Sequence, residues 1–296
     1  MKLKKTHAVL LMLLSSFAFS CMQVFVKLTA NAVGTFEQTF FRNLVSLFVA
    51  FFLVRKVGAH PLKEMRGKPA LWGRSFFGFL GIVLFFFAAG NAPQTSVAML
   101  NRASPVFVTL LAGVFLKEKI TGVKVASVCL CLLGAYIAMN PTFAGNMFLP
   151  LLCALLAAVV AGISYTMLAY CRDSVSPPVI ILHFSAFSTI AAGIMMLPSF
   201  VMPSLRTLAM LLLIGLFAAV GQIFLTYSYQ MAPASEVSIY QYSGVVFTAL
   251  LSFPIFGETL DRRSLLGGSI IFAAIFWVFQ YHSHDVDADT ARVAKH

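Results

Sequence analysis

The sequence predicts an all-α polytopic membrane protein, with ten transmembrane helices arranged as two inverted five-helix repeats. Three observations lead there: too few charges for a soluble globule, ten apolar runs of spanning length, and one stretch that recurs 140 residues further on.

Of the 296 residues, 60% are hydrophobic and only 10% charged, against roughly 25% charged in an ordinary soluble domain. Mean hydropathy is +0.90. The net charge of +11 is no nucleic-acid footprint, because Lys and Arg cluster in short links between apolar runs and no basic-aromatic motif accompanies them. Cys21, Cys129, Cys131, Cys153 and Cys171 lie in or beside apolar runs without a CxxC pair or Cys/His cluster. Buried thiols are expected, with no disulfide framework, metal site or cofactor.

A span needs about 20 mostly apolar residues. The runs fall near 7–28, 36–54, 70–90, 94–116, 121–139, 147–170, 177–198, 205–230, 234–256 and 262–281. The first imitates a signal peptide, with a basic start and an apolar core. It continues past Cys21 to Leu28, however, and so reads as the first span. Bulky Phe19 argues against a lipoprotein site at Cys21. With the N-terminus inside, the inner connections hold most Lys and Arg, including Lys2, Lys4, Lys5, Arg55, Lys56, Lys117, Lys119 and Lys124. The outer side holds only Arg206, Arg262 and Arg263. This bias puts both termini in the cytoplasm of a cell (inner) membrane protein. The connections are too short for a soluble domain. The polar tail after Tyr281 is expected to be disordered.

Ala92–Glu118 aligns without a gap on Ala232–Glu258, with identities at Ala92/Ala232, Pro93/Pro233, Val106/Val246, Phe107/Phe247 and Glu118/Glu258 among others. The offset carries span four onto span nine. Five spans per half is odd, so the second half lies inverted, as in many transporters. The units are 1–142, 143–281 and a cytoplasmic tail, 282–296.

The segments FFRNLVSLFVAFFLVRK, SVAMLNRASPVFVTLLAGVFLKEKIT and VFTALLSFPIFGETL resemble the EamA-like branch of the drug/metabolite transporter superfamily. The pattern is an Arg early in span two, a Pro within span four, and a Glu closing spans four and nine. It covers the whole chain and departs at Val245, where the first half has Pro105. The resemblance implies ten helices, both termini inside, and movement of small metabolites by alternating access.

A charge at the centre of a spanning helix costs about 2.5–3.5 kcal/mol on insertion scales, so each one needs a reason. Arg74, one turn from the inner end of span three, is expected to snorkel to headgroups. Lys27 stands near Glu37, where a structural pair and a binding role are both open. Arg42 lies about 9 Å into span two. Bracing helix-end carbonyls is its favoured role, with substrate contact second. Arg102 lies deeper. Thr95, Arg102 and Thr109 are spaced by seven and share a face. Asn101 and Pro105 flank that face, and Pro105 has no N–H to give the Asn101 carbonyl. A polar stripe beside a broken ladder points to a water-filled cavity rather than lipid.

Tyr242 takes the position equivalent to Arg102, on a face with Ser235 and Ser238. Tyr240 and Gln241 lie alongside. Ordinary interhelical hydrogen bonding is the alternative for these groups. Gln222 and Tyr165 are further cavity candidates, ranked by polarity and depth. Glu236 and His183 are candidates for proton relay. No carboxylate cluster supports sodium coupling, and the thirty phenylalanines form no aromatic cage.

The function expected is secondary transport of a small organic metabolite with a carboxylate or other anionic group: an amino acid, an organic acid or a compound like S-adenosylmethionine. The alternatives are a channel or non-transporting scaffold and, last, an intramembrane enzyme. No nucleophile elbow, HExxH or paired intramembrane Asp is present to serve an enzyme. The partners expected are a small-molecule substrate and the bilayer, not nucleic acid, and a homodimer stays open.

Overall fold

The structure is a computed structural model that describes residues 2–92, 94–139, 147–256 and 262–293. Its described residues are helical, joined by short connections. In order, the helices are α1 (Lys2–Thr29), α2 (Thr35–Val57), the short α3 (Pro61–Met65), α4 (Pro69–Asn91), α5 (Gln94–Asn101), α6 (Ser104–Phe115) and α7 (Gly122–Met139). They continue with α8 (Phe148–Tyr170), α9 (Pro177–Met196), α10 (Leu205–Met231) and α11 (Ala234–Val237). A 3-10 turn, Ser238–Tyr242, then leads into α12 (Ser243–Phe256), and α13 (Arg262–Val293) closes the chain.

Among the described residues, five stretches are long and apolar enough to cross a membrane: Lys5–Thr29, Val97–Phe115, Phe148–Tyr170, Pro177–Ser199 and Leu205–Met231. Shorter apolar helices cover Pro69–Phe85, Gly122–Ile137 and Leu265–Tyr281. The outer surface is apolar. Phe48, Phe52, Val114, Phe115, Ile190 and Phe276 are all more than half exposed, which suits lipid and not water.

Fourth and ninth apolar runs are both interrupted in mid-course. In the first, the helix stops at Asn101 and restarts at Ser104, with Pro105 in the first turn of α6, where its missing N–H removes no bond. The second contains no proline at the break. It tightens into the 3-10 turn, and the Ser243 hydroxyl donates to the Tyr240 carbonyl at 2.7 Å. Backbone N–H and side chain of Ser243 thus both donate to that carbonyl.

Element bounds repeat at the offset seen in the sequence. α4 ends at Asn91 and α10 at Met231; α5 begins at Gln94 and α11 at Ala234; α7 begins at Gly122 and α13 at Arg262. Packing repeats too. The main pairings are α1 with α10, α4 with α8, α2 with α9, and α7 with α13. Shifting by the repeat turns the α1–α10 pair into the α8–α4 pair. Hydroxyls knit these seams: Ser15 donates to the Gly221 carbonyl at 2.8 Å and Ser228 to the Ala8 carbonyl at 2.7 Å.

One expectation fails at the C-terminus. α13 stays helical to Val293, past the point where the sequence predicts disorder. The run after Tyr281 holds no Gly or Pro, so nothing local stops a helix already nucleated in the apolar segment.

Candidate functional site

Arg74 sets the centre of the site. It lies on α4 and is 2% exposed, so it does not snorkel outward as its depth suggests. Gly78, one turn further on, leaves the space its guanidinium occupies: a Cβ there would sit 2.5 Å from Nη1. Nη1 donates to Ser164 Oγ of α8 at 2.6 Å, and Ser164 Oγ donates back to the Arg74 carbonyl at 2.8 Å. The cation rests over the Phe184 ring at 4.3 Å and the Tyr165 ring at 5.5 Å.

Arg102 stands at the break between α5 and α6. Its backbone N–H reaches the Ala98 and Met99 carbonyls, while its side chain lies against α12. Nη1 is 3.3 Å from where a Cβ on Gly244 would be, with Ser16 of α1 close by. Tyr242 and Tyr165 lie within electrostatic range of its guanidinium. Arg42 of α2 also has Tyr165 in range, and Arg74 has Tyr165, Tyr229 and Arg42. Of the three guanidinium groups, that of Arg74 is the one placed over the Tyr165 ring. Tyr165 stacks on Tyr229 of α10, ring centroids 5.4 Å apart and 14° from parallel. Gln241 Nε2 donates to Tyr229 Oη at 2.6 Å. Arg42, Arg102, Tyr165 and Gln241 are half-buried, and Tyr229 and Tyr242 are fully buried.

Several polar atoms here have no hydrogen-bond partner among the described residues: Arg42 Nε, Arg74 Nε and Tyr242 Oη. No described residue bonds the Arg42 guanidinium to helix-end carbonyls, the role favoured for it from sequence. That role falls instead to Arg172, whose Nη2 donates to the Tyr229 carbonyl at 2.9 Å and to the Ala232 carbonyl at the end of α10.

The other predicted residues scatter. Asn101 is half-buried at the end of α5, and the side chain of Thr95 lies outside the described residues. Thr109 turns back on its own helix and donates to the Pro105 carbonyl at 2.9 Å. Tyr240 sits in the main apolar core with Cys131 and Ile271. Gln222 reaches Thr226 of its own helix at 3.4 Å. Lys27 ends α1. Glu37 faces the connection before α10, accepting from the Val201 N–H at 3.3 Å. A Lys27–Glu37 pair is one of two readings open from the sequence, and the bond described for that carboxylate is the one from Val201. His183 Nδ1 is 2.7 Å from Ser75 Oγ, with Trp72 edge-on at 4.6 Å. Among the thiols, Cys131 and Cys171 are buried but Cys129 is exposed.

A second polar layer lies at one end of the bundle. Glu118, just past α6, accepts from the Ala234 N–H (2.8 Å), the Ser235 N–H (3.0 Å) and Ser235 Oγ (2.6 Å). It thus caps α11 with a charge. Lys124 donates to the Lys119 carbonyl at 2.9 Å and Ser235 Oγ at 3.0 Å. Glu236 pairs with Lys5 at 3.3 Å and Lys124 at 3.5 Å, an arrangement that ties α1, α7 and α11 together.

Sequence reasoning missed Tyr229, the inward turn of Arg74 and the capping role of Glu118. The signal for Arg74 was a glycine one turn away on the same face. Tyr229 and Glu118 carried none, because their partners lie far off in the chain.

An apolar-surfaced helical bundle with arginines turned inward defines a polytopic membrane protein. The EamA-like transporter family model matches it twice, over residues 6–140 and 148–280. The chain belongs to the EamA-like transporter family, and it is a transporter of small metabolites, not an enzyme. It is 30% identical over 267 residues to a pseudopaline exporter of Pseudomonas aeruginosa, covering 90% of this chain and 93% of that protein. It is 26% identical over 270 residues to an S-adenosylmethionine uptake transporter of Rickettsia bellii, covering 90% and 91%. A protein of known crystal structure shares the fold with a TM-score of 0.81 at 16% identity, over 92% of this chain and 96% of that one.

Proposed function

We propose that the chain carries a small organic metabolite with a carboxylate or other anionic group by alternating access between two inverted five-helix repeats. Ten crossings result when α5 with α6, and α11 with α12, each count as one. Both termini lie on the cytoplasmic side of a cell (inner) membrane. The basic bias of the connections supports this topology. So does the gathering of Lys5, Glu118, Lys124 and Glu236 at one end. The two relatives are named for opposite directions, one an exporter and one an uptake transporter, so direction is not a property of the shared fold.

One observation carries the reading: Arg74 lies buried over the Tyr165 ring, and Arg42 and Arg102 are half-buried, inside a bundle whose exterior is apolar. Buried charge on this scale is retained in membranes at pathways for substrates and ions. The two broken helices place irregular backbone beside it, as transporter sites do. A metabolite-library thermal-shift screen on purified protein, followed by uptake of the hit into vesicles, tests the proposal. Saturable, competable uptake is expected. Linear, non-competable flux would mean a channel, and no flux a scaffold.

A further inference from the structure

The charged layer around α11 joins four parts of the chain. Lys124, at the start of α7, is 4% exposed. Its ammonium donates to Ser235 Oγ at 3.0 Å and to the Lys119 carbonyl at 2.9 Å, and lies 3.5 Å from Glu236. Ser235 Oγ donates in turn to Glu118 at 2.6 Å. Lys5 of α1 reaches Glu236 at 3.3 Å. Ser235, Val237, Ser238 and Ile239 are fully buried, so the segment behind the charges is sealed.

Two observations separate this layer from ordinary packing. The segment it grips is the outer part of a broken helix: α11 is four residues long and runs into the 3-10 turn Ser238–Tyr242. A tight turn within a helix is a common hinge. The ion pairs, moreover, do not recur. At the offset of 140, Glu118 has its counterpart in Glu258, but Lys124 falls on Ser264 and Glu236 on Ser96. A buried ion pair adds little net stability, because desolvation offsets the attraction, and water rehydrates the two charges once they part. Such a contact suits a surface that closes and reopens.

We propose that Lys124 and Glu236, with Lys5, form a latch that holds the cytoplasmic end of the transporter closed by gripping α11, and that the latch parts as α11 swings about the 3-10 turn. This rests on the alternating-access reading and adds which residues set the balance between its two states.

The test reads the two ends separately. It uses the full-length protein in nanodiscs with its five native cysteines replaced by alanine. One new thiol is introduced by Ser238→Cys or, in a second protein, by Ala98→Cys, the counterpart position on α5 under the repeat. Ser238 is fully buried, and its hydroxyl has no partner among the described residues. The rate of reaction with a charged, water-soluble methanethiosulfonate follows the fraction of time an end stands open. Glu236→Gln and Lys124→Gln should each speed labelling at position 238 about tenfold and slow it at position 98. The double variant should match the single ones rather than multiply them, since the two groups act as one pair. Lys5→Gln, on a more exposed side chain, should act in the same direction but less. It carries the test if a variant at the buried pair does not fold, which the thermal transition reports.

Unchanged rates at both positions would overturn the latch and leave alternating access standing. Faster labelling at 238 with no change at 98 would mean that α11 merely frays, and would also overturn the latch. Labelling of both positions at the rate of a fully exposed thiol, with the latch residues intact, would mean an open channel and overturn the alternating-access reading itself.

Discussion

Gly78 has no side chain, and the position of Arg74 depends on that. A Cβ there would meet Arg74 Nη1 at 2.5 Å, Phe184 at 2.9 Å and Ser164 Oγ at 3.0 Å. Overpacking of this kind costs about 1–3 kcal/mol, so Gly78→Ala should lower the thermal transition of the purified protein; an unchanged transition would place Arg74 elsewhere. Gly244→Val should act differently. Its extra methyls would press on a guanidinium already 3.3 Å from the first added carbon. The expected result is a folded protein with substrate affinity reduced about tenfold, measured by ligand titration. The arginines themselves were legible in the sequence, because a permanent cation in an apolar run stands out. Which face each presents was less so. Distance from a helix end suggested snorkelling for Arg74, and packing against α8 overrode it.

At the scale of the element, the interrupted helices decide where the site is. Pro105 announced the first break. The second has Val245 in its place and comes instead from a 3-10 turn stabilised by Ser243, a device with no strong sequence mark. The terminal Glu of the repeated stretch was legible as a sign of duplication, but not as a cap, since its partners at Ala234 and Ser235 lie more than a hundred residues away. Glu118→Ala removes the acceptor of three bonds to α11. Bonds to a charged group contribute about 1.5–3 kcal/mol net, and the thermal transition should fall accordingly. Ser235→Ala removes only one of the three contacts made to Glu118 and should shift it less. Equal shifts would argue that Glu118 does not anchor α11.

At the scale of the whole molecule, the proposed two-repeat architecture is the organising feature. It was visible as a gapless match, and matching helix bounds and reciprocal pairings accompany it. Reporter fusions within 55–69 and after Tyr281 should both report the cytoplasm; an external signal from either would break the proposed topology. The account as a whole turns on Arg102, half-buried at a helix break with its guanidinium against Gly244 of α12. Bonds to a charged group contribute about 1.5–3 kcal/mol, so losing one at the substrate lowers transport by roughly one to two orders of magnitude. Uptake by reconstituted vesicles, normalised to folded protein, measures this directly. Arg102→Ala should lose about that much transport while remaining folded and inserted, and Arg102→Lys should recover only part of it because the planar fork is gone. An Arg102→Ala protein that transports like the parent would contradict the account.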